Sequence, residues 1–287
     1  MGLRQTPLKP LTELGATDRY KGEDGGLYGG GKNEPPARLR EAAQQELAQI
    51  RPRDDQGKPT ERGRIVLISL SMSNATMEFS HFKRLADPDP AKSPRLTIVD
   101  GAQGGQAMAE WVPRDAPPWS VAEQRLAQAQ VTPAQVQVAW VKLANKGPRG
   151  DLQEHGRKLQ RDTRAVLDNA RERFPNLRFV YLSSRINASY ATSALNPEPY
   201  AYESAFAARW LILDQLRSGA IPRPLLLWGP YLWASQTTPR KADGLLYTRE
   251  DFAADGTHPS KSGQEKVAQQ LLSFFKTDVL AKNWFLR

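Results

Sequence analysis

Four polar segments of this sequence carry the groups that acyl transfer to a serine requires. In chain order they are residues 69–74, 100–106, 143–147 and 254–259. A serine hydroxyl becomes nucleophilic when an imidazole takes its proton, and a carboxylate fixes the tautomer of that imidazole. Backbone N–H groups and an Asn amide can stabilise the oxyanion that forms. The order Ser, Gly, Asn, Asp-x-x-His therefore favours a site for acyl transfer.

Three histidines could supply the imidazole, namely His81, His155 and His258. His155 lies in the charged stretch QEHGRK, which predicts a solvent-facing side chain, and His81 lies on a predicted helix, where a core or surface position is typical. Asp255 precedes His258 by three residues across Gly256, a spacing that can put both side chains on one loop. The alternative is that this segment is an ordinary turn that caps the next helix.

Apolar runs alternate with helical segments after residue 63. Continuous apolar runs are typical of strands that are buried on both faces of a parallel sheet. The alternation predicts a three-layer α/β/α sandwich around a mainly parallel five-stranded sheet, with right-handed crossovers. Polar segments that follow such strands meet at the carboxyl edge of the sheet. The predicted strands are 65–68, 96–99, 136–141, 177–182 and 225–228. The predicted helices are 37–50, 121–129, 151–174, 201–216 and 260–275, together with one that follows Ser73 and contains His81.

Residues 1–62 differ from the remainder of the chain because they are rich in proline and glycine and contain a single helical segment. We interpret them as an extension that wraps a main domain of residues 63–287. The stretch from Gly26 to Asn33 resembles a phosphate-binding loop, but Asn33 stands where Ser or Thr is needed. Pro35 and Pro36 also prevent an immediate helix, so we predict a loop and no nucleotide.

Composition limits the classes of function. The 287 residues carry 40 Lys and Arg against 31 Asp and Glu, a net charge of +9, and no cysteine. Disulfides and a Cys nucleophile are therefore excluded, no apolar run reaches the roughly 20 residues of a membrane span, and no His or carboxylate spacing suits a metal. A nucleic-acid-binding module has only the charge in its favour.

The N-terminal segment lacks the apolar region of a signal peptide, whereas a Cys-free chain is compatible with a mature secreted or periplasmic protein.

The polar segments resemble the four blocks of the SGNH (GDSL-type) hydrolase superfamily, and the resemblance extends over about residues 63–277. It implies the flavodoxin-like SGNH fold, no cofactor, and an acyl-serine intermediate. Ser73 would be the nucleophile, with Gly105 and Asn145 as further oxyanion donors beside its own N–H. His258 would be the base and Asp255 its partner.

The blocks also depart from the family pattern. Gly-Asp-Ser is replaced by Ser71-Met72-Ser73, so Ser69 and Ser71 remain alternative nucleophiles, and the third block keeps only its Asn. Gly-Gly-Gln at 104–106 resembles carbohydrate esterases of the superfamily. The resemblance thus predicts removal of short acyl groups, acetyl above all, from a carbohydrate. The alternative is a degenerate member that binds sugar or another partner without turnover.

Further side chains are candidates for contacts with a glycan ester. Gln106 belongs to the second block, and Arg185 follows the fourth predicted strand. Trp111 lies in a Pro-rich loop after the second block, where it could form a substrate wall together with Trp119. Tyr202 and Glu203 could line the same edge of the sheet. Trp140 and Trp210 fall within a predicted strand and a predicted helix, so we assign them to the core.

Overall fold

Five parallel strands form the sheet that the apolar runs predict. A computed structural model of the protein describes residues 8–217 and 219–287. The strand order is β2-β1-β3-β4-β5, and every neighbouring pair is parallel. The strands are Ile65–Ser71 (β1), Leu96–Val99 (β2), Val136–Lys142 (β3), Phe179–Leu182 (β4) and Leu225–Trp228 (β5). The predicted five-stranded α/β fold is therefore confirmed.

Helices cover both faces of this sheet. The α-helices are Ala37–Leu47 (α1), Ser73–Ala86 (α2), Met108–Trp111 (α3), Pro117–Gln128 (α4), Leu152–Arg173 (α5), Tyr200–Asp214 (α6), Lys261–Thr277 (α7) and Lys282–Phe285 (α8). Short 3-10 turns lie at Leu11–Glu13, Pro133–Gln135, Gln215–Arg217 and Arg249–Asp251. Helices α2 and α7 pack together, as do α5 and α6. The crossovers change direction after β2, so right-handed connections place these two pairs on opposite faces of the sheet.

Apolar side chains at helical spacing attach α2 and α7 to the sheet. Phe79 of α2 stacks on Trp140 of β3, with ring centroids 5.3 Å apart. Phe82, also of α2, contacts Phe275 of α7 at 5.4 Å, and Phe275 meets Tyr181 of β4 at 5.9 Å. This aromatic layer holds the start of α2 against the carboxyl end of β1.

The N-terminal residues that the structure describes are joined to the main domain by buried contacts. The N–H of Leu11 donates to the hydroxyl of Tyr231 at 2.9 Å, and the Trp228 indole donates to the carbonyl of Leu27 at 2.8 Å. Arg209 of α6 pairs with Glu23 at 2.5 Å. Residues 1–7 of the predicted extension lie outside the described residues. The division of the chain at residue 62 stays a prediction.

A buried ion pair lies beneath the carboxyl edge of the sheet. Lys142, the last residue of β3, pairs with Glu78 of α2, and both side chains are inaccessible to solvent. Burial lowers the pKa of the Lys142 ammonium, and the nearby charge of Glu78 opposes that shift. Each charge of this pair therefore depends on the other.

We expect Glu78→Gln to lower the free energy of unfolding by about 3–5 kcal/mol, because it leaves Lys142 buried without its counter-charge. Urea denaturation at neutral pH would measure the loss. Replacing both residues with Met should restore most of the stability. As a control, Lys83→Met removes an exposed ion pair with Asp87 on the same helix and should cost less than about 1 kcal/mol. Equal losses in the two single variants would contradict the prediction.

Candidate active site

Ser73 is the first residue of α2, two residues after β1 ends. Its hydroxyl Oγ lies 2.9 Å from Nε2 of His258, although 185 positions separate the two residues in the chain. The first N–H groups of a helix have no partner within the helix, so the backbone at Ser73 can also donate to an oxyanion. The hydroxyl and an N–H donor are thus provided at one point of the fold.

Asp255 and His258 occupy one tight loop before α7. The carboxylate accepts from the imidazole Nδ1 at 2.5 Å, and its other oxygen accepts from the N–H groups of Thr257 and His258 at 3.0 Å. Gly256 has φ 63°, and a Cβ at this position would lie 1.7 Å from the carbonyl oxygen of Tyr190. A glycine is therefore required for the turn that brings the carboxylate under the ring.

The charge of Asp255 is stabilised by these contacts. Partial burial tends to raise the pKa of this carboxyl, but the hydrogen bonds from His258 and Thr257 outweigh burial and lower the pKa to about 2. The carboxylate is therefore ionised at all ordinary pH values. An imidazole whose Nδ1 proton is held by a carboxylate presents the lone pair of Nε2 to its other neighbour, and here that neighbour is the Ser73 hydroxyl.

The two alternative serines have structural partners instead. The hydroxyl of Ser69 donates to Asp100 at 2.8 Å and accepts from the N–H of Gly101 at 3.0 Å. The hydroxyl of Ser71 donates to the carbonyl of Lys142. Both serines are fully buried, so Ser73 is the one whose hydroxyl contacts His258.

Gly105 and Asn145 lie on neighbouring loops of the same cavity as Ser73. The Asn145 amide donates to the carboxylate of Asp162 at 3.0 Å, which leaves its second N–H for an oxyanion. Lys146 joins the two loops, because its ammonium donates to the carbonyl of Gly105 at 2.7 Å and pairs with Glu110 at 2.7 Å. The residues expected to supply the oxyanion donors therefore line one cavity.

The cavity in front of Ser73 and His258 has a volume of about 240 Å³. Gln106 and Arg185, both candidates from the sequence, line it, together with Asn74 and Asn196. The site lies between the carboxyl ends of β1 and β3. Ligands of open α/β sheets usually bind there, where the strand order reverses.

The two tryptophans predicted to form a substrate wall are in the core, so that prediction is wrong. Trp111 and Trp119 are 0% and 1% exposed and contact each other edge to face at 5.0 Å. The Trp111 indole N–H donates to the carbonyl of Gln106 at 3.3 Å. Trp111 therefore lies in the core and holds the backbone of the second block at Gln106 through this hydrogen bond.

The predicted positions of three further residues, Tyr202, Glu203 and His155, are corrected by the structure around α5 and α6. Tyr202 lines a separate cavity beside Tyr20 and Lys21. Glu203 is bound to His155, Lys21 and Tyr20 instead of facing Ser73. His155 is buried, not solvent-facing, because Glu203 and the ring of Tyr200, both of α6, pack against it. His81 pairs with Glu265 at 2.6 Å.

Three residues at the site were missed by sequence reasoning. Asn74 links the carbonyl of Thr257 to the guanidinium of Arg185, at 3.1 and 2.9 Å. Asp162 orients the Asn145 amide, and Lys146 holds the Gly105 loop. Asn74 and Lys146 had a signal, since each directly follows a predicted site residue, Ser73 and Asn145. Asp162 had none, because it lies within a helix, 17 positions from its partner.

Within the ranges 8–217 and 219–287, no cluster of three or more His, Cys, Asp or Glu residues could hold a metal ion. No helix in these ranges combines the length and apolar character needed to cross a bilayer.

The chain is similar in structure to several solved proteins. One from Slackia heliotrinireducens, provisionally described as an SGNH hydrolase, shares 16% identity with a TM-score of 0.41 over 74% of this chain and 99% of that one. Another, from Bacteroides fragilis and provisionally described as an acylhydrolase, shares 13% identity with a TM-score of 0.42 over 86% and 100%. A GDSL-like lipase from Bacteroides thetaiotaomicron shares 9% identity with a TM-score of 0.38 over 82% and 95%. No family model and no curated protein matches the sequence.

Proposed function

We propose that this chain is a serine esterase that works through an acyl-Ser73 intermediate. The observation that supports this most directly is the continuous contact from Ser73 through His258 to Asp255, at 2.9 and 2.5 Å, on the wall of a cavity. Such a chain of contacts can generate a serine nucleophile and stabilise the imidazolium that follows.

In the first half of the reaction, Nε2 of His258 takes the proton of the Ser73 hydroxyl while Oγ bonds to the ester carbonyl carbon. The negative charge that develops on the carbonyl oxygen is stabilised by the N–H groups of Ser73 and Gly105 and by the Asn145 amide. The bond to the alcohol oxygen then breaks, and His258 returns its proton to the departing alkoxide.

In the second half, His258 takes a proton from water as the water oxygen bonds to the acyl carbon. The bond between that carbon and Ser73 Oγ breaks, and the serine recovers its proton from His258. The products are the free acid and the alcohol. Asp255 keeps its charge throughout and offsets the charge of the imidazolium at each step.

The substrate that we propose is a short-acyl ester, acetyl above all, of a carbohydrate. The cavity of about 240 Å³ is smaller than most ligand pockets, which favours a small acyl group. Amide side chains of Gln106 and Asn196 on its wall suit the hydroxyl groups of a sugar.

The test is hydrolysis of p-nitrophenyl esters from acetate to octanoate and of acetylated polysaccharides, with a fluorophosphonate label to locate the nucleophile. We expect rates that fall as the acyl chain lengthens, and a label on the peptide that contains Ser73. Absence of both hydrolysis and labelling would favour the degenerate binding protein. The departures of the first and third blocks from the family pattern, which keep only Ser73 and Asn145, favour that alternative.

A further inference from the structure

Arg185 has an unusual place at the site. It follows β4 and is only 2% exposed, yet it lines the cavity that contains Ser73 and His258. Its Nη1 donates to Oδ1 of Asn74 at 2.9 Å. Its Nε and Nη2 have no hydrogen-bond partner among the residues that the structure describes. A buried cation next to this cavity thus has two donors without a partner.

The other buried arginines of the described chain have at most one unpaired nitrogen, which is the Nε in Arg53 and in Arg209. Arg53, Arg209 and Arg240 each use both Nη atoms in hydrogen bonds. In Arg240 the Nε also donates to Asp243, at 2.8 Å. A buried donor without a partner is costly, and more so when it belongs to a charged group. The unpaired edge of Arg185, formed by Nε and Nη2, would therefore be stabilised by a hydrogen-bond acceptor.

The carboxylates near Arg185 do not supply that acceptor. Glu78, Glu198 and Asp255 are close enough to favour its charge, but none forms an ion pair with it. Glu78 pairs with Lys142, and Asp255 with His258. Glu198 accepts from the N–H groups of Ala188 and Tyr202 and from the Trp233 indole. These contacts hold the carboxylates in place without neutralising the free edge of the guanidinium.

The charged side chains of the cavity and the geometry of the guanidinium indicate what the acceptor would be. The charged side chains on its wall, apart from the imidazole, are the two cations Arg185 and Lys146. Nε and Nη2 carry parallel N–H bonds on one edge of a guanidinium, and this fork matches the two oxygens of a carboxylate. We propose that Arg185 binds a carboxylate of the substrate, so that the ester belongs to an anionic, carboxylated molecule. This inference rests on the proposed esterase function.

The test uses two pairs of esters that differ by one charge. In the first pair, 4-acetoxybenzoate and its methyl ester, the carboxylate is on the alcohol side. In the second pair, mono-4-nitrophenyl succinate and its methyl ester, it is on the acyl side. The measured quantity is the ratio of kcat/KM for the charged ester to that for the neutral ester, in wild type and in variants. Comparing ratios between variants removes the intrinsic reactivity of each ester.

We expect Arg185→Met to lower this ratio roughly 10- to 100-fold in one of the two pairs, chiefly through KM. The pair that responds identifies the side of the ester that carries the carboxylate. Arg185→Lys keeps the charge but loses the fork, so its ratio should fall between those of wild type and Arg185→Met. Arg240→Met and Arg240→Lys are the matched controls, because they remove a buried arginine elsewhere, and their ratios should equal that of wild type.

Ratios that stay at the wild-type value in a folded Arg185→Met protein would overturn the proposal and make Arg185 a structural cation. If Arg185→Met does not fold, an unchanged ratio in Arg185→Lys would overturn it equally. If wild type hydrolyses no ester, the esterase proposal fails, and calorimetric binding of 4-acetoxybenzoate and its methyl ester to Ser73→Ala decides about Arg185. A preference for the charged ester that disappears with Arg185→Met would then support the carboxylate site, and equal affinities would overturn it.

Discussion

Ser73→Ala is expected to lower kcat for p-nitrophenyl acetate by roughly 10⁴- to 10⁶-fold, with a small change in KM. The substitution removes one oxygen atom, which contacts His258 at 2.9 Å and lies on the cavity wall. Without it no acyl-enzyme forms, and the remaining rate comes from binding and from the oxyanion donors. Steady-state kinetics with purified protein would measure the loss.

The matched control is Ser80→Ala on the same helix, since the Ser80 hydroxyl donates to the carbonyl of Met77 and lies away from the cavity. It should retain the wild-type rate. Both variants should unfold within about 0.5 kcal/mol of wild type, because neither removes a buried contact of the core. Equal rates in wild type and a folded Ser73→Ala protein would contradict the assignment of Ser73 as nucleophile.

Asp255→Asn is expected to lower kcat roughly 10³- to 10⁴-fold. An amide cannot offset the charge of the imidazolium. It can also donate an N–H to Nδ1 of His258, which leaves the imidazole proton on Nε2, where it prevents Nε2 from accepting the proton of the Ser73 hydroxyl. Because the pKa of Asp255 is lowered to about 2, its carboxylate stays ionised throughout an assay. Ionisation of Asp255 itself therefore adds no pH dependence to the loss between about pH 5 and about pH 8.

Glu250→Gln serves as the control for this variant. It removes an exposed carboxylate from the segment that leads into the same loop, and it should leave kcat unchanged. An Asp255→Asn protein with wild-type kcat would show that the carboxylate has no part in the reaction.

The contacts of Asp255 also predict a pH effect on stability. A carboxyl with a lowered pKa stabilises the fold at pH values above its ordinary pKa of 3.8, and this contribution is lost as the pH falls toward 2.

The sheet could be predicted from local sequence because each strand is a continuous apolar run between helical segments. The run at 177–182 was predicted two residues too long, since the strand begins at Phe179. The N–H of Leu177 instead bonds to the carbonyl of Phe174, which closes the turn after α5. Such end effects depend on a single hydrogen bond, which periodicity does not reveal.

Side-chain environments were predicted less well, because they depend on segments far away in the chain. Trp111 follows the second block in a Pro-rich stretch, but it packs against Trp119 in the core. His155 has charged neighbours along the chain, yet Glu203 and the ring of Tyr200 enclose it. A short charged stretch indicates exposure only when no other segment covers it.

The sequence by itself determined the order of the strands and helices and the loops on which serine, glycine, asparagine and the Asp-x-x-His segment lie. Local patterns suffice for this, because hydrophobic periodicity and tight turns are properties of neighbouring residues. Only the tertiary structure decided that Ser73, rather than Ser69 or Ser71, contacts His258, and that two donors of the buried Arg185 have no hydrogen-bond partner. Both facts depend on contacts between residues more than a hundred positions apart, such as Asn74 with Arg185.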